Sequence, residues 1–199
     1  MVERGVEQAT RRVLQAECLP ASEKLLSLFE EHTQIITRHK AGKPTEFGRK
    51  VLIDEVDGGI ISRYEVLTEG ASERTELPKS LQAHRERFGR APFVLAGDRG
   101  LYSEENESLA QEAGVKRVAL PKSGKLSKKR KRHEEQRWFR RGFRFRAGIE
   151  GRISVLNRAF GLDLCLDHGE EGMERWVGWG ILAHNLRQIS RTQVSRQAA

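Results

Sequence analysis

Cysteine is nearly missing from this chain of 199 residues: Cys18 and Cys165 stand alone, and neither belongs to a CxxC pair. That argues against a disulfide scaffold and against a zinc finger or ribbon. The sequence predicts two buried thiols in a reducing compartment. Long apolar runs are missing too. None approaches the roughly 20 residues that a membrane-spanning helix needs. The opening stretch MVERGVEQATRRV carries charges where an export signal has an apolar core. These two absences predict a cytoplasmic protein with no membrane partner. Aromatic residues make up only 7% of the chain, and hydrophobic residues 37%, so one modest core is expected. Acidic residues are outnumbered, 28 against 36 Lys and Arg, which leaves a net charge of +8. A surplus of that size points to a polyanionic partner. No internal repeat is present.

The stretch around which the chain is organised is FVLAGDRGLY, Phe93–Tyr102. Phe93–Ala96 reads as a short buried strand, with Asp98 at its end between Gly97 and Gly100. Ser103 reads as an N-cap, with Glu104 and Glu105 in the first turn of the helix that follows. Ligands of open α/β sheets bind outside the carboxyl ends of strands. Asp98 therefore has two readings, a turn cap and a metal ligand.

In chain order, residues 1–24 read as a helical connector. Leu25–Phe29 reads as an apolar strand that runs into Glu30, Glu31 and His32. A loop-rich stretch with Lys40, Gly42 and Lys43 follows. Lys50–Val56 and Ile60–Leu67 form two β-branched runs joined by Asp57-Gly58-Gly59, the strongest hairpin signal in the chain. Asp54 and Glu55 read there as exposed strand positions. Ser72–Phe88 is helical and stops at Gly89, Glu104–Ala113 is a second helix stopped by Gly114, and Val115–Leu120 is a strand closed by Pro121. A helix between strands implies parallel pairing. The expected fold is α/β, an RNase H-like mixed five-stranded sheet flanked by helices, with another mixed sheet as the alternative.

Between Lys122 and Arg146 the composition shifts to twelve Lys or Arg against Glu134 and Glu135. Trp138, Phe139, Phe143 and Phe145 interleave the second half. Such density of like charge predicts a first half that stays flexible until it meets a polyanion. Lys and Arg neutralise phosphates, and aromatics stack on unpaired bases. Gly142–Phe160 reads as a helix with Ile149, Ile153, Leu156 and Phe160 on one face. Glu150 lies at the edge of that face, one turn after Arg146, with which an i, i+4 ion pair is the plain alternative to a functional role. Residues 161–175 read as a polar linker, Trp176–Ile189 as a closing helix with His184 in the core, and 190–199 as a frayed tail.

These pieces together resemble the catalytic part of a bacterial insertion-sequence transposase of the DDE type, in the ISNCY-type group. The matching segments are SLFEEHTQII with KAGKPTEFGRKV, then AGDRGLYS, then WFRRGFRFRAGIEGRISVLNRAFGL, then GMERWVGWGILAHNLRQI. The third segment is similar to a family pattern of Tyr, Arg, Glu and Lys. Those positions are held here by Phe143, Arg146, Glu150 and Asn157, with Arg158 beside the last. The resemblance implies a catalytic domain over residues 25–189 that cuts and joins DNA with two Mg²⁺ ions, Mn²⁺ substituting. It implies Asp98, Glu150 and Glu30 (or Glu31) as catalytic and metal-binding carboxylates. Its expected DNA contacts are Lys128, Lys129, Arg130, Lys131, Arg132, Arg140, Arg141, Arg144, Arg146 and Arg158. The expected partners are transposon ends and target DNA, with a second copy or a full-length transposase, in the bacterial nucleoid. The family usually has a helical DNA-binding region ahead of the catalytic part, so a truncated copy is expected. The alternative expectation is a non-catalytic DNA-binding remnant or regulator.

Overall fold

The structure is a computed structural model, and it describes residues 2–20, 23–37, 45–68 and 71–197. Its elements in order are α1 (Val2–Ala9), β1 (Gln34–Thr37), β2 (Thr45–Gly48), β3 (Val51–Val56), β4 (Ile60–Val66), α2 (Glu73–Phe88), β5 (Val94–Ala96), α3 (Glu104–Glu112), β6 (Arg117–Ala119), α4 (Lys128–Glu134), α5 (Arg137–Phe160) and α6 (Gly169–Gln197). The stretch with Lys40, Gly42 and Lys43 lies outside the described residues.

Local signals produce the elements they predict. The β3–β4 hairpin is antiparallel, and Gly58 and Gly59 take φ values of 82° and 74° at its turn. Glycine is required twice over at 59, because a Cβ there would lie 2.6 Å from Arg152 Nη2. Ser72 caps α2 by accepting from Arg74 N–H, Ser103 caps α3 by accepting from Asn106 N–H, and Gly89 ends α2 in the left-handed region.

The five-stranded RNase H-like sheet does not form. The strands make three separate two-stranded sheets: β1–β2 and β3–β4 antiparallel, β5–β6 parallel. The hairpin is prevented from growing by helices. The side chain of α6 residue Asn185 takes both outward backbone groups of Ile61, accepting its N–H at 2.9 Å and donating to its C=O at 2.8 Å. A strand edge whose groups are already paired offers nothing to a further strand. Asp54 and Glu55 alternate across the hairpin. Asp54 bonds Ser80 of α2 at 3.1 Å, and Glu55 bonds Arg152 of α5 at 2.6 Å. They are not exposed strand positions; the Glu55 side chain is only 3% exposed. β5 and β6, at three residues each, pack against helix α5 instead, with Val118 and Ala119 of β6 buried and Val94 of β5 left exposed.

Two apolar clusters result. One joins Leu77 and Leu81 of α2, Ala110 of α3, and Val115, Val118 and Leu120 around β6. The other joins Ile61 and Val66 of β4, Leu156 of α5, and Val177 and Ile181 of α6. Helix α5 spans both: Gly142 packs on β5–β6, and Leu156 on the hairpin.

Other local expectations are revised. Leu25–Phe29 is not a strand, and Leu28 and Phe29 are exposed. The basic stretch folds into α4, capped by Ser127. Helix α6 begins within the expected linker and runs through the expected tail to Gln197. Cys18 is exposed and Cys165 half-buried. Among the described residues no helix is long and apolar enough to cross a membrane.

Candidate nucleic-acid interface and carboxylate pair

Helix α5 organises the candidate site because its sheet-facing stripe outruns the sheet. Phe139 and Gly142 are buried at its start, and a Cβ on Gly142 would lie 2.8 Å from Ala119 Cβ. Residues at i, i+3 and i+4 share a helix face. The same stripe therefore carries Arg146 and Glu150 onward past the end of β5, where Asp98 stands. Arg146 Nη2 donates to Asp98 Oδ2 at 2.7 Å, and Nη1 donates to Glu150 Oε1 at 3.1 Å. Asp98 Oδ1 also accepts the backbone N–H of Arg99 at 2.7 Å. Both readings of Asp98 therefore have geometric content: it caps the short turn of Arg99–Leu101, and it meets Glu150 across one guanidinium.

The third expected carboxylate is elsewhere. Glu30 Oε1 is 2.8 Å from His168 Nδ1, and Oε2 accepts the N–H of Gly169 at 3.2 Å. It sits at the N-terminus of α6, where a negative charge meets unpaired N–H groups. The His168 hydrogen bond and the Gly169 N–H hold its carboxyl below the usual range, against some desolvation. Glu31 pairs with Arg4. Among the described residues no group of three or more His, Cys, Asp or Glu side chains could hold a metal ion. The expected set of three carboxylates around two Mg²⁺ ions is thus not assembled. Asp98 and Glu150 are oxygen donors of the kind that Mg²⁺ takes. A cationic guanidinium already bridges the two groups, and both are about half exposed or more (51% and 69%). Mg²⁺ takes one or two carboxylates, keeps several waters and completes its shell with substrate phosphate.

The other half of α5 makes an open groove of about 810 Å³, lined by Arg117, Arg137, Trp138, Arg141, Arg144 and Phe145. From Trp138 to Glu150 is twelve residues along one helix, about 18 Å at 1.5 Å per residue. Parallel pairing of β5 and β6 sets Val94 beside Arg117, and Arg117 N–H donates to Phe93 C=O at 3.1 Å. The Arg117 guanidinium then lies 5.4 Å from the Phe93 ring and 5.9 Å from the Trp138 ring, within cation–π range. The Trp138 ring is held edge-on by His133 and Phe139, at 5.4 and 5.5 Å.

The expected DNA contacts divide. Arg141 and Arg144 line the groove, and Arg140 is exposed nearby on α5. Lys128, Lys129, Lys131 and Arg132 are exposed on α4, and Arg158 is exposed near the end of α5. Arg130 is turned inward: it bonds Glu107 and Glu134 at 2.8 Å and stacks 4.7 Å from the Tyr102 ring. Burial, the largest single effect, lowers its pKa, but Glu134 and Glu107 together outweigh it and leave the pKa raised. Arg130 ties α4 to α3. Sequence reasoning does not single out Arg117 and Phe93. The signal that points to them is the aromatic residue before β5, together with the parallel register that brings Arg117 to it. Comparison of the chain with protein-family models, curated proteins and solved structures gave no match.

Proposed function

We propose that this chain is the catalytic part of a DDE-type DNA transposase, acting on the ends of an insertion sequence and on target DNA. The observation that supports it most is the meeting of Asp98 and Glu150 at Arg146, the two carboxylates that the family resemblance names. They stand at the middle of α5, and the basic groove stands on its first turns. The five-stranded sheet that the resemblance implies is not formed, so the reading stands on the carboxylate pair and the basic groove. Asp98 and Glu150 would hold one Mg²⁺. When bound, that ion supplies Lewis-acid stabilisation of phosphate oxygens and a nucleophile at neutral pH. Arg146 orients both carboxylates and, released from them, is free to meet a phosphate.

A second reading is a non-catalytic DNA-binding protein of the same descent. It is favoured by the engagement of Glu30 at the start of α6 and by the neutralisation of both other carboxylates by Arg146. One experiment separates the two: cleavage and strand transfer on labelled duplex in Mg²⁺, by the chain and by Asp98→Asn. The transposase reading expects cleavage that Asp98→Asn lowers by at least about 10²-fold. DNA binding with no cleavage in Mg²⁺ or Mn²⁺ would favour the second reading. Equal cleavage by the variant would remove Asp98 from the site.

A further inference from the structure

We infer that the groove on α5 receives unpaired nucleotides rather than intact duplex, with bases stacked on Phe93, Trp138 and Phe145 around Arg117. This rests on the DNA reading above and narrows its substrate to a single strand or a locally opened end. Exposure is the first ground. Phe93 is 63% exposed and Phe145 43% exposed; Phe145 lines the groove with Trp138 and four Arg residues, and Phe93 lies 5.4 Å from the guanidinium of one of them, Arg117. Intact duplex buries its base faces in its own stack and presents phosphates and groove edges, which Arg alone can meet. Rings become useful only when a base is free to lie on them, and each such stack is tolerant of sequence because every base has a π face.

The rings are spaced and fixed for that task. Trp138 and Phe145 are seven residues apart on α5, about 10 Å along its axis. Trp138 is locked edge-on by His133 and Phe139, so its face does not wander. Phe93 is anchored by the backbone bond between its C=O and Arg117 N–H. The Arg117 guanidinium, within cation–π distance of both Phe93 and Trp138, is a planar cation that can also stack on a base. Arg141 and Arg144 fall between the two rings of α5 in sequence and supply charge for the intervening phosphates.

The test is binding of the full chain to a labelled single strand and to the same sequence as blunt duplex, at physiological salt, by fluorescence anisotropy. Variants are Phe93→Ala and Phe93→Ala/Phe145→Ala. Both positions are exposed, and thermal melting checks that the variants fold. The expected result is tighter binding of the single strand. Phe93→Ala should weaken single-strand binding by roughly 5- to 100-fold, the range for removing one stacking ring; the double variant, which removes two rings, should weaken it further, and both should lower the ratio of single-strand to duplex affinity. Tighter binding of duplex, or equal losses on both probes, would overturn the inference and leave the DNA reading standing. No binding to either probe would overturn both.

Discussion

His184 is 1% exposed, yet its side chain titrates near neutrality in water. Burial holds it below its ordinary value, and the nearby cations of Arg152 and Arg187 add to this; the Asn185 hydrogen bond and Glu55 oppose it. Half-buried His84 is shifted the same way by burial, with Arg90 adding to the effect and Asp54 opposing it. A histidine with a depressed folded pKa binds fewer protons folded than unfolded. Its contribution to stability is whole above about pH 6.5 and is lost as pH falls below it. Thermal melting between about pH 7.5 and 5.5 should therefore show a falling Tm, and His184→Gln should lessen the fall. A Tm that rises on acidification would contradict this. Asp54, raised by burial despite Ser80 and Arg63, acts in the opposite sense at lower pH. Legibility at this scale follows sequence distance. The Arg146–Glu150 pair is four residues apart and can be read from helix spacing alone. Glu55 reads as exposed because its partner Arg152 lies 97 residues away. Glu30 is named as a ligand by the family resemblance alone, and its partner Gly169 lies 139 residues away.

Helix α5 shows how one element ties site to fold. Gly142 lets it lie against β5 and β6, whereas a Cβ added at Gly148 would have nothing within 4 Å. The two glycines should respond oppositely to alanine. Gly148→Ala should stabilise by up to about 1 kcal/mol through helix propensity. Gly142→Ala must push α5 off Ala119 and should destabilise by about 1–2 kcal/mol, the propensity gain partly offsetting overpacking. Urea denaturation of both variants checks this, and equal effects would show that α5 does not press on the sheet. Helix caps, glycine stops and the hairpin are legible because each is written in a few adjacent residues. The assembly of strands is not. The helix between β5 and β6 announces their parallel pairing, but whether two pairs join depends on what covers their edges. Asn185, 124 residues from Ile61, decides that for the hairpin.

At the scale of the whole molecule, the proposed phosphate contacts lie in the basic groove on the first turns of α5. Neutralising Arg137, Arg141 and Arg144 together should lower the slope of log affinity against log salt by about 2–3, at roughly 0.9 per duplex phosphate contact and about 0.7 per single-strand contact. An unchanged slope would move the contacts to α4 or elsewhere. In the proposed site Asp98 and Glu150 hold one cation between them, the Arg146 guanidinium in this structure. Titration of Mn²⁺ onto the DNA-free chain, followed by electron paramagnetic resonance, tests this for the parent, Arg146→Ala, and Arg146→Ala combined with Asp98→Asn. Removing a competing charge worth about 1 kcal/mol per unit charge at 4 Å in water should tighten one Mn²⁺ site on the order of tenfold in Arg146→Ala. Asp98→Asn should abolish that gain. Equal Mn²⁺ affinity in all three proteins would contradict the claim.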